Sequence, residues 1–271
     1  MANKAFCVGI NDYPSEGSDL KGCVNDAEAW ATLLVEHYDF SRDNVTLITD
    51  AQATKQNMIS GIKNLLAGNR AGDVLVFTNS SHGTYCADKS GDEPKYDEAL
   101  CPYDVQENLL VDDELRELFA DIANGVHLTV ISDSCFSGTV TRASVSDNLP
   151  GFVAPDDRRV RFFNPALRGD PVLPNPWKAL PKGREKFPEE SMKEVLLSGC
   201  TDKEYSFDAL IEGRYHGAMT YHAIQAITQA GYQLTYAELH EHLLPLLDEA
   251  QYNQHPRLEG SEQSKQRQIF T

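Results

Sequence analysis

The sequence lacks any long hydrophobic run. Its apolar stretches stop well short of the roughly 18 residues that a membrane-spanning helix needs. The chain also opens without the basic, apolar and small-residue succession of a signal peptide, since an apolar strand-like segment at residues 5–10 follows almost at once. We therefore expect a protein that neither spans a membrane nor is secreted, and that works in the cytoplasm.

Basic residues are scarce. The chain has 24 Lys and Arg against 41 Asp and Glu, a formal net charge of -17. Such an excess of negative charge disfavours nucleic acids and anionic membranes as partners, because their phosphates would be repelled. We expect a monomer that acts on basic proteins or peptides and that a regulatory protein could bind.

Paired cysteines are absent. None of the six cysteines forms a Cys-x-x-Cys pair, which argues against a zinc ribbon and a thioredoxin-like site. Free thiols are compatible with a reducing compartment, and we expect five of the six to be buried. The cysteines are Cys7, Cys23, Cys86, Cys101, Cys135 and Cys200.

One stretch reverses the charge of the chain. Between Arg142 and Lys186 lie nine basic and five acidic residues, so this stretch carries +4 and the remainder -21. It also holds seven of the 13 prolines and shows no helix or strand period. We expect a single domain over residues 1–271, with a basic, proline-rich loop insert at about residues 140–190.

Outside the insert, predicted strands and helices alternate. Near-continuous apolar strands between amphipathic helices are typical of an α/β sandwich with a mainly parallel sheet. In such sheets, functional residues gather at the carboxyl ends of the strands. The predicted strands are residues 5–10, 45–49, 73–78, 126–132 and 194–198, and the predicted helices are residues 27–38, 54–66, 109–123, 217–228 and 235–248.

Two predicted strands run into turns that carry reactive side chains. The third strand is followed by His82 and Gly83, and the fourth by Cys135 and Gly138. If these strands are parallel neighbours, the histidine and the cysteine emerge at the same edge. An adjacent imidazole can activate a cysteine thiol near neutral pH, and glycines leave backbone N–H groups free for an oxyanion. The arrangement predicts a Cys-His dyad for nucleophilic catalysis.

Other chemistries fit the spacing less well. Six residues separate Cys135 from Arg142, whereas a tyrosine-phosphatase loop needs five, and no Gly-rich nucleotide loop is present. His240 and His242 are two positions apart and would point to different helix faces, which disfavours a metal site. A lone cysteine is more often a small buried hydrophobe, but two Gly/Ser-rich turns after apolar strands favour a catalytic pair.

These turns resemble the catalytic segments of the caspase-like cysteine peptidases, and within them the metacaspases and their prokaryotic relatives. The family usually has Gly before the histidine, where this chain has Ser81, a change expected to narrow the pocket without removing the base. The resemblance implies a caspase-like three-layer sandwich, with a six-stranded, mostly parallel sheet and helices on both faces. The matching segments are residues 20–27, 80–83, 96–99, 111–114, 133–138 and 197–200.

The resemblance also implies roles for individual residues. Cys135 would be the nucleophile and His82 the general acid/base, with the backbone N–H groups of Gly83 and Cys135 as oxyanion donors. The specificity pocket would be acidic, which suits a guanidinium or ammonium group and predicts cleavage after Arg or Lys. The residues implied for this pocket are Cys23, Asp26, Ser80 and Asp133. The alternative for Asp26 is an acid near the N-terminus of a helix, where it interacts favourably with the helix dipole.

Relatives of this type are commonly activated by calcium, and the ligands would map to Asp97, Asp112 and Asp113. Clustered carboxylates suit this hard cation. A fourth acidic ligand is expected seven positions after the nucleophile, where this chain has Arg142. The alternative is that the acids at residues 112–114 are first-turn residues of a helix.

The segment after the catalytic cysteine often carries processing sites in this family, so the basic insert predicts self-cleavage, with a solvated surface loop as the alternative. Two other functions stay open: a catalytically weak scaffold that binds a protein through its acidic face, and a transpeptidase or ligase with the same dyad. The candidate self-cleavage residues are Arg142, Arg158, Arg159, Arg161, Arg168, Lys178, Lys182, Arg184 and Lys186.

Overall fold

A six-stranded sheet forms the centre of the molecule. The computed structural model describes residues 2–87, 96–135, 158–170, 189, 192–201 and 204–271. The strands of the sheet are β1 (Asn3–Gly9), β2 (Val45–Thr49), β3 (Val74–Ser80), β7 (His127–Asp133), β9 (Glu194–Ser198) and β12 (Arg257–Glu259). They lie in the order β12-β9-β7-β3-β1-β2, and all neighbours are parallel except β12 and β9.

Helices cover both faces of this sheet. The helices are α1 (Cys23–His37), α2 (Lys55–Leu66), α3 (Asp112–Ala120), α4 (Ala218–Gln229), α5 (Tyr236–Glu249) and the short α6 (Glu262–Lys265). Alternate residues of β1 point to opposite faces, so Ala5 and Cys7 pack with α1, α4 and α5, while Phe6 and Val8 pack with α2 and α3. Burial on both faces explains why the strands are apolar along their length.

Two small antiparallel sheets complete the described part of the chain. One has the order β4-β5-β6 and the other β11-β10-β8. Their strands are short, and the sequence pattern did not predict them. They are β4 (Gly83–Ala87), β5 (Tyr96–Leu100), β6 (Leu110–Val111), β8 (Arg159–Val160), β10 (Phe207–Ile211) and β11 (Arg214–Gly217).

The predicted fold class is confirmed, with two local differences. Helix α3 is shorter than predicted because residues 110–111 pair with β5 as a strand before the helix begins. Of the predicted loop insert, residues 158–170 and 189 are described, and they include strand β8 and a 3₁₀ turn at Pro165–Arg168. The rest of the insert lies outside the described residues. None of the described helices has the length and apolar character to cross a membrane.

The register between β3 and β7 positions the catalytic candidates. These strands are parallel neighbours, and Ser80 lies opposite Asp133. His82 and Cys135 each follow two residues after this pair. Both therefore emerge at the carboxyl edge of the sheet at the same height, as the sequence pattern predicted.

Candidate active site

His82 is a buried, neutral imidazole. Its Nε2 atom lies 2.7 Å from the carbonyl oxygen of Ser18. A carbonyl can only accept, so Nε2 carries the proton and Nδ1 keeps its lone pair. Burial lowers the pKa of His82 to about 4, partly offset by the Ser18 hydrogen bond. Within the described part of the chain Nδ1 has no hydrogen-bond partner, so it is available to take a proton.

Aromatic side chains hold the His82 ring. The ring of Tyr13 lies 5.0 Å from the imidazole and that of Phe163 lies 6.1 Å away. The Tyr13 hydroxyl accepts from the His82 N–H at 3.2 Å and donates to the carbonyl of Cys101 at 3.0 Å. Tyr13 and Ser18 belong to the loop after β1. Sequence reasoning missed them, although their place after a buried parallel strand was an available signal.

The Cys135 thiol is buried and faces the backbone of Ser206. Its Sγ atom accepts from the Ser206 N–H at 2.5 Å and lies 3.3 Å from the Ser206 carbonyl oxygen. The Sγ atom of Cys200 is 3.9 Å away. Among the described residues no hydrogen bond joins Cys135 to His82, so the two groups are not engaged with each other in this conformation.

Two backbone N–H groups converge on a single oxygen beside Cys135. The N–H groups of Gly83 and Cys135 donate to the carbonyl oxygen of Arg161, at 3.0 and 3.1 Å. These are the donors that the family resemblance implies for the oxyanion, and their spacing suits the oxygen of a peptide carbonyl under attack. The N–H of Arg161 donates in turn to the Ser206 carbonyl at 2.9 Å.

The side chain of Arg161 fills an acidic pocket. Its Nη2 atom lies 2.7 Å from an oxygen of Asp26 and 3.1 Å from one of Asp208, and Nη1 lies 3.4 Å from Asp133. All four side chains are fully buried. The structure thus brings together Asp26 and Asp133 and adds Asp208, which sequence reasoning missed. The one available signal was a lone carboxylate inside the apolar strand β10.

The pocket carboxylates are fixed by backbone and hydroxyl donors. Asp26 accepts from the N–H of Gly217 at 3.0 Å, and Asp133 accepts from the N–H and hydroxyl of Thr220 at 3.0 and 2.8 Å. Asp208 accepts from the N–H of Gly22 at 2.9 Å. A Cβ atom at Gly217 would lie 2.5 Å from Nη1 of Arg161, so only glycine leaves room for the guanidinium.

Comparison with known proteins identifies the family. The model of the family described as "Metacaspase, peptidase C14 domain" matches residues 3–144. The chain belongs to the metacaspases. Metacaspase-3 of Arabidopsis thaliana is 33% identical in an alignment that covers 92% of this chain and 66% of the relative. Metacaspase-1A of Aspergillus oryzae is 31% identical in an alignment that covers 95% of this chain and 67% of the relative.

This metacaspase chain spans about two thirds of the length of those relatives. Among solved structures, a Geobacter sulfurreducens protein superposes with a TM-score of 0.73 at 24% identity, covering 100% of this chain and 99% of its own. Caspase-1 of Spodoptera frugiperda superposes with a TM-score of 0.59 at 12% identity, covering 96% and 86%. At these identities the structural likeness shows the caspase-like fold.

The two other implied pocket residues lie near the carboxylates. Cys23 is buried at the start of α1, and burial raises the pKa of its thiol, while the charge of Arg161 lowers it. Ser80 is buried at the end of β3, where its carbonyl accepts from the N–H of Ile10 at 3.0 Å. No hydrogen bond from Ser80 to Arg161 occurs among the described residues. Gly138 lies outside them.

The acids that the family resemblance implies for calcium do not form a preformed site in the described residues. Asp112 and Asp113 both form ion pairs with Arg116. Asp97 is buried in β5, and the described part of the chain contains no group of three acidic, histidine or cysteine side chains placed to hold a metal ion. Arg142, at the fourth expected position, lies outside the described residues. The donors as arranged do not fit calcium.

The buried guanidinium of Arg161 predicts a large effect on stability. Exchanging Arg161 for Gln in a Cys135→Ala background leaves three buried carboxylates without a counter-charge, so we expect the free energy of unfolding to fall by about 3–5 kcal/mol. The matched control is Arg159→Gln, because the Arg159 side chain is exposed; about 1 kcal/mol or less is expected there. Urea unfolding at pH 7 measures the loss of free energy of unfolding for each variant. Equal losses would contradict the stabilising role assigned to the buried Arg161 guanidinium.

Proposed function

We propose that this metacaspase is a cysteine endopeptidase that hydrolyses protein and peptide substrates after Arg or Lys. Cys135 is the nucleophile and His82 the general acid/base. The observation that carries the proposal is the placement of Arg161. Its guanidinium lies among three carboxylates while its carbonyl oxygen accepts from the N–H groups of Gly83 and Cys135. One residue therefore satisfies the specificity pocket and the oxyanion donors together.

The first step is proton transfer from the thiol to His82. Cys135 must leave the Ser206 backbone and turn toward Nδ1 of His82, which is unprotonated because Nε2–H donates to Ser18. That same hydrogen bond fixes the ring and stabilises the imidazolium that forms, so no third side chain is required. The thiolate can then attack a carbonyl carbon held by the two N–H groups.

The remaining steps use the same groups. Attack places negative charge on the carbonyl oxygen, where each backbone donor contributes about 10²–10³-fold in rate. The imidazolium gives its proton to the leaving amine as the peptide bond breaks. Water, activated by His82, then hydrolyses the thioester and restores the Cys135 thiol.

The pocket selects the residue before the scissile bond by charge. Three buried carboxylates repel an acidic side chain. A neutral side chain would leave the charges of these carboxylates uncompensated. A guanidinium can donate to several of them at once, whereas an ammonium on a flexible stem acts as a point charge. The arrangement favours Arg and accepts Lys.

A panel of fluorogenic peptides ending in Arg, Lys, Asp or Asn tests the proposal. We expect turnover of Arg and Lys peptides by the wild type and none by Cys135→Ala. Asp208→Asn should lower kcat/KM for Arg peptides by about 10–100-fold, or 1.4 kcal/mol per tenfold, because one pocket charge is lost. The matched control is Asp248→Asn, an exposed acid with 64% side-chain accessibility.

Each other result of the panel contradicts a definite part of the proposal. Preference for Asp would overturn the pocket assignment. Absence of turnover for every peptide, in protein that is folded and processed, would favour the scaffold function. Transfer of the acyl group to an added amine in place of water would favour the ligase function.

Self-processing belongs to the same proposal. Of the nine candidate residues in the insert, Arg158, Arg159, Arg161 and Arg168 are described by the structure, and the others lie outside it. Arg158 stacks on Tyr252, and Arg168 donates to the carbonyl of Val105 at 2.6 Å. Arg161 alone among these four reaches the acidic pocket, which supports it as the processing residue.

Calcium activation, implied by the family resemblance, is outside the mechanism because the donors do not fit. We expect calorimetric titration of the chain with calcium to give a dissociation constant weaker than about 10⁻⁴ M, since Arg116 neutralises Asp112 and Asp113. Arg116→Gln should tighten binding, and Arg42→Gln, at an exposed site on another element, should not. A micromolar constant for the unchanged chain would contradict this expectation.

A further inference from the structure

Two thiols lie side by side at the carboxyl edge of the main sheet. Cys135 follows β7, Cys200 follows β9, and their Sγ atoms are 3.9 Å apart. Both are free in this structure. We propose that this pair is a redox modification site, at which hydrogen peroxide forms a reversible Cys135–Cys200 disulfide that blocks the nucleophile. The loss of activity rests on the proposed function, whereas the cross-link itself is measured independently of it.

The sheet register brings the two cysteines together. Strands β7 and β9 are adjacent and parallel, with Ser132 opposite Ser198. The pairing continues one residue further, because the N–H of Gly199 donates to the Ser132 carbonyl at 2.7 Å. Adjacent strands lie about 4.8 Å apart, and a disulfide joins residues whose Cα atoms are about 4.4–6.8 Å apart. The sheet therefore holds the two segments at a spacing that a disulfide can bridge.

The residues directly before the two cysteines are in close contact. A Cβ atom at Gly199 would lie 3.2 Å from the backbone nitrogen of Ser134, and glycine at this position permits that approach. The Gly199 carbonyl also accepts from the side-chain amide of Gln254 at 2.7 Å. Backbone contacts on two sides thus fix the segment that presents Cys200 to Cys135.

A cleft gives a small oxidant access to the pair. Cys135 is 0% exposed and Cys200 is 9% exposed. Cys200 lines a cleft of about 590 Å³ between α3 and the strands β9 and β12. None of the described residues 159–163, which lie against Cys135, lines this cleft. Hydrogen peroxide is little larger than water, so it can approach the pair while that segment stays in place.

The two thiols have different roles in the reaction. Under the proposed function, Cys135 gives its proton to His82 and becomes a thiolate. The Cys200 thiol can donate to the Cys135 sulfur, and this contact together with burial raises the pKa of Cys200. The charges of Asp133 and Glu98 raise that pKa further. Because the thiolate is the reactive form, Cys135 is oxidised first and Cys200 then attacks the oxidised sulfur.

The chemistry balances with hydrogen peroxide as the oxidant. The Cys135 thiolate attacks one peroxide oxygen, the O–O bond breaks, and a sulfenic acid and hydroxide form. The sulfur of Cys200 then attacks the sulfenic sulfur, the S–O bond breaks, and the thiol proton leaves with the departing hydroxide as water. Two thiols are oxidised, and one peroxide is reduced. A dithiol such as dithiothreitol reverses the oxidation by thiol–disulfide exchange.

The disulfide protects the nucleophile as well as blocking it. A second peroxide molecule would oxidise the sulfenic acid to a sulfinic acid, which dithiothreitol does not reduce. A tethered group acts at an effective concentration on the order of millimolar. At about 0.1 mM peroxide, Cys200 should therefore capture Cys135 at least about tenfold more often than a second peroxide does.

Brief treatment of the full chain with about 0.1 mM peroxide, followed by a non-reducing digest and mass spectrometry, tests the proposal. In the wild type we expect a Cys135–Cys200 cross-link, loss of Arg-peptide turnover, and full recovery of turnover with dithiothreitol. Cys200→Ser should accumulate at least about tenfold more Cys135 sulfinic acid and recover little of its own untreated rate. Dimedone, which labels sulfenic acids, should label Cys135 in Cys200→Ser.

Two variants serve as controls. Cys86 is the most exposed of the six cysteines, so Cys86→Ser should behave like the wild type unless exposure alone selects the oxidised thiol. In Cys135→Ala, dimedone should leave Cys200 unlabelled, because the thiolate that attacks peroxide is missing. Labelling of Cys200 in this variant would overturn the assigned order of the two steps. Should Cys200→Ser fail to fold, Cys200→Ala provides the same comparison.

The remaining outcomes separate this proposal from the proposed function. Equal sulfinic acid in wild type and Cys200→Ser, or a cross-link from Cys135 to another cysteine, would overturn the disulfide and leave the peptidase standing. Absence of peptide turnover by the reduced wild type would contradict the peptidase, while the digest still shows whether Cys135 and Cys200 are joined. Full turnover by the cross-linked protein would contradict the role of Cys135 as the nucleophile.

Discussion

The buried ionic cluster around Arg161 is the interaction on which the rest of the site depends. Removing an ion from water costs several kcal/mol, so buried carboxylates need a counter-charge. Asp26 comes from α1, Asp133 from the end of β7 and Asp208 from β10. The guanidinium therefore links α1, the main sheet and the small sheet that contains β10 to the segment that carries Arg161. Any molecule that replaces Arg161 must bring a cation to the same place.

The candidate catalytic groups depend on a different constraint, the parallel register of the main sheet. Because β3 and β7 pair with Ser80 opposite Asp133, the two chains leave the sheet side by side and deliver His82 and Cys135 to one edge. The loop after β1 reaches the same edge and supplies Ser18 and Tyr13, which set the tautomer and the position of the imidazole. Rigid strands thus position the two candidate catalytic side chains, and the backbone N–H groups of Gly83 and Cys135 lie beside them.

Sequence reasoning succeeded where a periodic pattern or a local motif carried the information. Apolar strands followed by reactive turns predicted the sheet edge, His82 and Cys135. Sequence reasoning failed for Asp208 and Ser18. Their hydrogen-bond and ion-pair partners lie far along the chain, and their segments show no helix or strand period that would have predicted them. Strand β8 has two residues, too few for alternation to show, and the prolines and charges of the surrounding insert indicated a loop. Its structure comes from pairing with β10 and from the acidic pocket, which are tertiary contacts.

The same ionic cluster determines what any ligand of this pocket must supply. In the described structure the cation that faces Asp26, Asp133 and Asp208 belongs to the chain itself. The segment that carries this cation is held on both sides, because Val160 pairs with Phe207 and Phe162 forms a bridge with Gly83. A free peptide lacks that covalent continuity. Under the proposed function, a peptide must therefore displace a tethered segment that is present at a high effective concentration.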